Sequence, residues 1–71
     1  MYRYEPIEEN WYWPECGWFV SYGIRVEQDG VVLYTRPDVF TERTLVAEIC
    51  RLCTAEQVEP VHLEDVIDGM L

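Results

Sequence analysis

From Trp18 to Glu27 the chain alternates: Trp18, Val20, Tyr22, Ile24 and Val26 fall on one side, Phe19, Ser21, Gly23, Arg25 and Glu27 on the other. A period of two predicts a β-strand with one face turned toward a core. Asp29-Gly30 follows, a pair in which both positions accept positive φ, and it predicts a tight hairpin. Val31 to Arg36 is expected to return as the partner strand and to stop at Pro37, which has no N–H to donate. Upstream, Met1 to Trp13 also reads as extended, with Tyr2 and Tyr4 alternating with Arg3 and Glu5, and Trp11 and Trp13 flanking Tyr12. Pro6 and the Glu8-Glu9-Asn10 cluster are expected to bulge or split this strand, and Pro6 to place it at a sheet edge. Pro14-Glu15-Cys16-Gly17 supplies the turn between the first two strands.

Beyond Pro37 the period lengthens to that of a helix. Thr41 is expected as the N-cap, with Glu42 in the first turn beside the positive end of the helix dipole. Leu45, Val46, Ile49, Cys50, Leu52 and Cys53 then form one stripe, and Thr44, Ala47, Glu48 and Arg51 the opposite side. Thr54 to Glu59 is a polar connector. Pro60 sets the start of a last helix, where Leu63, Val66, Ile67, Met70 and Leu71 make a second stripe and Glu64, Asp65 and Asp68 line the far side. No polar tail follows, so Met70-Leu71 is expected to pack and the chain to be a finished module. The expected fold is a single small α+β domain over residues 1–71, a three-stranded antiparallel meander packed against two C-terminal helices.

Size sharpens this picture. A chain of 71 residues buries only about 60% of its unfolded surface and draws roughly 3–5 kcal/mol from its core. Three Trp, five Tyr and two Phe supply large apolar areas, more than so small a core hides. The surplus is expected at the surface, to be covered by a second copy in a homodimer or by another protein.

Charge then limits the partners. Fourteen acidic residues against five Arg leave a net charge of −9, which repels phosphate backbones and anionic membranes. Direct nucleic-acid or membrane binding is not expected, and a charged partner should be basic. The first ten residues show no basic region followed by an apolar run, and an odd number of cysteines fits a disulfide framework poorly. The expected compartment is the cytoplasm.

Little in the chain suggests catalysis. Cys50-Arg-Leu-Cys53 falls in the last turn of its helix, the wrong end of the dipole for a reactive thiolate, and inside the apolar stripe. Cys16, Cys50, Cys53 and His62 make up a Cys₃His count, so a small zinc-stabilised domain is one alternative. His62, the single histidine, has no recognisable nucleophile or phosphate loop beside it. An enzyme is not expected, nor a cofactor. Glu64, Asp65 and Asp68, with Glu59, Glu56 and Glu48 nearby, suggest an acidic face for a basic partner or, as a second alternative, a nucleic-acid mimic occupying a DNA- or RNA-binding protein. The leading expectation is a non-enzymatic protein–protein interaction module whose contacts are Glu64, Asp65, Asp68, His62, Trp11 and Trp13.

Pro60-Val-His62-Leu63-Glu-Asp65-Val66-Ile67, together with Tyr22-Gly-Ile24 and the Asp29-Gly30 hairpin, resembles a group of short acidic proteins of clostridial-type bacteria, classed as a domain of unknown function. The likeness spans Tyr22 to Leu71. In that group the final motif continues with an acidic residue where this chain has Gly69, which removes one charge from the acidic face. The resemblance implies a bacterial cytoplasmic protein without an assigned activity.

Overall fold

A computed structural model describes residues 1–70. The chain runs through β1 (Tyr2–Trp13), β2 (Gly17–Gln28), β3 (Val31–Phe40), α1 (Arg43–Ala55), one 3-10 turn at Pro60–His62 and α2 (Leu63–Met70). The strands form an antiparallel sheet in the order β1-β2-β3, with both helices packed against it. This is the α+β meander expected from the sequence.

β1 differs from expectation in being unbroken. It pairs with β2 from Tyr2 opposite Gln28 to Trp13 opposite Gly17, with no bulge or split. Pro6 is tolerated because β1 is an edge strand, where a missing donor need not break a ladder bond. The β2–β3 hairpin closes through Asp29 and Gly30, at φ 51° and 81°, the left-handed pair that a tight hairpin requires.

Pro37 does not stop β3, which continues to Phe40. The strand absorbs the proline in a bulge: Arg36 lies opposite Ile24 and Phe40 opposite Tyr22, so Pro37, Asp38 and Val39 together face Gly23 alone. Asp38 takes a left-handed φ of 51°. Its N–H donates to Glu9 Oε1 at 2.9 Å, and its carboxylate accepts the Ser21 hydroxyl. β1, β2 and β3 are therefore tied together across the bulge by side chains.

The core lies between the helices and one face of the sheet. Tyr4, Ile24, Val26 and Val39 meet Val46, Ile49, Cys50 and Cys53 of α1 and Leu63 and Ile67 of α2. Leu45, Leu52 and Val66, expected in the stripes, are only partly buried. Met70 is 36% exposed, so the stripe on α2 outlasts the surface beneath it; Leu71 lies outside the described residues. Thr41 is not the N-cap of α1. That position falls to Glu42, which makes no side-chain capping bond.

At the other end α1 closes with a left-handed Gln57, φ 50°, whose N–H bonds to Thr54 O at 3.2 Å while Val58 N–H bonds to Cys53 O at 3.0 Å. This is a Schellman closure made by Gln in place of the usual Gly. The same Gln57 amide accepts from Tyr2 N–H (2.8 Å) and donates to Tyr2 O (2.9 Å), and Thr54 Oγ1 accepts from Tyr4 N–H (3.0 Å). Two side chains thus stand in for a fourth strand and cover the lower edge of β1.

Candidate interaction surface

The lengths of the elements decide what remains uncovered. α1 has 13 residues and rises about 20 Å. β1 and β2 have 12 residues each and span about 40 Å, which is also the longest dimension of the molecule, 40 Å. Because the end of α1 is tied to Tyr2 and Tyr4, the helix covers the lower half of the ribbon and no more. β3 leaves at the same level, its last pair being Phe40 with Tyr22. Above the Glu8–Tyr22 pair, β1 and β2 project as a two-stranded arm.

Aromatic side chains crowd this arm. Tyr12 and Trp18 lie opposite each other with ring centroids 5.3 Å apart, tilted by 60°. Trp11 and Trp13 fall on the other face, with Phe19 opposite Trp11. Trp18 is 74% exposed and Trp13 59%, and Trp11 and Tyr12 are exposed as well. A two-stranded ribbon is marginal by itself, so cross-strand aromatic pairs, each contributing about 0.2–1 kcal/mol, supply part of its order. The turn contributes the rest: Cys16 N–H donates to Trp13 O at 3.0 Å, and Gly17 takes φ 80°, a conformation that a Cβ would strain.

Charge is distributed unevenly around the arm. Glu8, Glu9 and Glu15 lie on or beside it, whereas every arginine sits outside it. Most arginines are also engaged: Arg25 with Glu5 (3.1 Å), Arg36 with Glu64 (2.7 Å) and Arg51 with Glu48 one helical turn away. The Arg25 guanidinium holds the Glu5 carboxyl below the usual carboxylate range.

The sequence candidates fall into two separate places. Trp11 and Trp13 are on the arm. His62, in the 3-10 turn, and Glu64, Asp65 and Asp68, along α2, are exposed, with the His62 ring 3.8 Å from Asp65. Glu64 is not a free charge, since it bonds to Arg36 and approaches the Tyr34 hydroxyl at 3.4 Å. Arg36 lies opposite Ile24, which pairs with Pro6; from that level to Trp13 the ribbon rises roughly 20 Å. Trp18 and Val20, which the alternation placed on the core face, belong to the exposed arm instead. The face was read correctly, but the cover ends before reaching them.

The Cys₃His set is not assembled. Cys16 is exposed in the turn at the arm's tip, while Cys53 lies beside Thr54 at the level of Tyr4, a strand distance of about 30 Å. Among the described residues no group of three or more His, Cys, Asp or Glu is placed to hold a metal ion. Cys50 is 2% exposed, and burial, followed by the neighbouring Cys53 and Glu5, pushes its thiol up to about 12; burial also raises Cys53. Such thiols are core-fillers, held away from the thiolate form.

This environment gives the fold an alkaline limit. The unfolded Cys50 thiol loses its proton near its ordinary value of 9.0, well before the folded one. Stability tied to the buried thiol is therefore complete below that value and is lost as pH rises through it toward about 12. At pH 10 the expected loss is about 1.4 kcal/mol from Cys50. Urea midpoints at pH 7 and pH 10 measure it, and Cys50→Ala should flatten the dependence; an unchanged slope would count against the burial argument.

Geometry defines the class: a small open-sheet α+β domain with an aromatic two-stranded arm. The family model for a family of unknown function (DUF6514) matches residues 1–71, and the chain belongs to that family. The match takes in β1 and the arm, beyond the Tyr22–Leu71 span of the sequence resemblance. No curated protein and no solved structure matches the chain. Among the described residues no helix is long and apolar enough to cross a membrane.

Proposed function

We propose that this protein is a non-enzymatic protein–protein interaction module that docks its partner through the β1–β2 arm. The observation that carries the reading is the exposure of Trp13 and Trp18 on a ribbon that neither the helices nor β3 reach. Apolar surface of this kind costs solubility and stabilises nothing in the core, so a partner that covers it accounts for its presence. The acidic start of α2 supports docking less well, because Glu64 is already paired with Arg36. Nucleic-acid mimicry is weaker for the same reason and is not favoured by any row of free carboxylates.

Replacing Trp13 and Trp18 together by Ser should abolish capture of the partner from the native cell while changing the stability of the fold by no more than about 1 kcal/mol, the size of the cross-strand aromatic pair that is removed. A triple change Glu64→Gln, Asp65→Asn, Asp68→Asn should leave capture intact. Affinity capture with quantitative mass spectrometry reads both. Equal recovery by the native chain and the double Trp variant would refute docking through the arm.

A further inference from the structure

We infer that the free edge of β2 at Gly17–Val20 accepts an extended, Lys/Arg-bearing segment of another protein as an added strand. This deepens the reading of the arm as a docking surface and rests on it.

β2 is an interior strand only over part of its length. From Tyr22 to Gln28 it is flanked by β1 and β3, and Ser21 is still held against β3 by its hydroxyl; from Gly17 to Val20 only β1 pairs with it among the described residues. The missing neighbour leaves backbone donors and acceptors without a ladder partner on that side, the template that strand addition uses. The vacancy is bounded. Its lower end is Phe40, where the chain turns away toward α1, and its upper end is Gly17 at the turn. Four residues of strand occupy about 13 Å, so an incoming segment of at least that length would continue the line of β3. The lower edge of β1 offers no such slot: Tyr2 and Tyr4 are covered by Gln57 and Thr54, and Pro6 has no N–H.

The side chains facing the slot point to the chemistry of the occupant. On an added strand, alternate residues would lie beside Trp18 and Val20 on one face and Phe19 on the other. Trp18, exposed and tilted against Tyr12, presents a ring face suited to a guanidinium or ammonium. Glu15 lies in the adjoining turn, and the arm carries no positive charge of its own. A second copy would bring another −9 to the same place, and a nucleic acid would bring phosphates. A basic strand alternating cationic with apolar residues answers both features, and its encounter should weaken as salt rises.

Selection of phage-displayed random heptapeptides on the full chain tests this. Enriched peptides should alternate Lys or Arg with apolar residues. A synthetic copy should lose at least tenfold in affinity when alternate backbone amides are N-methylated, and by a similar factor against Trp18→Ser, whose far-ultraviolet circular dichroism should show the fold retained. Absence of enrichment, enrichment without basic residues, or indifference to N-methylation would each overturn the inference. So would a Trp18-dependent dimer in sedimentation at working concentration, which would make a second copy the occupant. If peptides fail but the double Trp variant still loses its captured partner, strand addition falls and docking through the arm stands. If capture also survives that variant, both fall.

Discussion

Leu63→Ala is expected to remove most of the stability of the fold. Leu63 opens α2, has no exposed surface and joins the cluster that includes Ile67, Val46 and Ile49. Truncating a buried Leu costs about 2–5 kcal/mol through lost transfer energy and the cavity left behind. A domain of this size holds roughly 3–5 kcal/mol in total, so the variant should be largely unfolded at room temperature. α2 is only 8 residues long, too short to persist without its anchor. Urea denaturation followed by far-ultraviolet circular dichroism is the suitable measurement, because all three Trp lie on the arm and report on it more than on the core. Met70→Ala, on the same stripe but 36% exposed, should change stability by no more than about 0.5 kcal/mol. A Leu63→Ala midpoint within about 1 kcal/mol of native would mean that α2 is not an integral part of the core.

That contrast also marks where the sequence stopped being readable. Period two through Trp18–Glu27 and period 3.6 through α1 and α2 identified the elements and their inward faces, because those periods follow from backbone geometry alone. The pattern carries no information on how far a covering helix reaches. Trp18 and Val20 sit on the same face as Ile24 and Val26, yet the former are exposed and the latter fully buried. Comparing lengths would have found the arm: a helix of this size rises about half the span of the strands it covers. Other misses came from left-handed backbone at residues other than glycine, Gln57 and Asp38. Gln57 closes α1 where Gly was the signal to look for, and the bulge after Arg36 carries β3 past a proline that should have ended it. Each depends on partners distant in sequence, Tyr2 in one case and Glu9 with Ser21 in the other. The Pro60–Ile67 segment was legible as an amphipathic pattern, and the structure separates its residues: Leu63 and Ile67 are core, whereas His62 and Asp65 remain at the surface.

Gly23→Ala is expected to cost about 2 kcal/mol, more than an exposed strand position would. Gly23 is buried at the point where β3 bulges across β2. A Cβ added there would lie 2.7 Å from the Arg36 carbonyl oxygen, 2.7 Å from Glu9 Oε1 and 3.1 Å from Pro37 Cα. Glu9 can swing away, but only by giving up its bond to Asp38 N–H. The Arg36 oxygen and Pro37 Cα are backbone and cannot yield without opening the bulge. Opening it would release the left-handed Asp38 and its bond from Ser21, and with them the last pairing between β3 and β2 at Phe40. The damage should therefore concentrate at the base of the arm, where amide exchange of residues 20–23 and 38–40 would accelerate before the rest of the sheet. Glu9→Ala in the same chain separates the two sources of strain. If the carboxylate were the main obstacle, removing it would restore stability; because the backbone atoms remain, the double variant should be at least as unstable as Gly23→Ala. Recovery to within about 0.5 kcal/mol of Glu9→Ala alone would show that the bulge adapts and that the close approach of β3 to Gly23 is not what requires glycine.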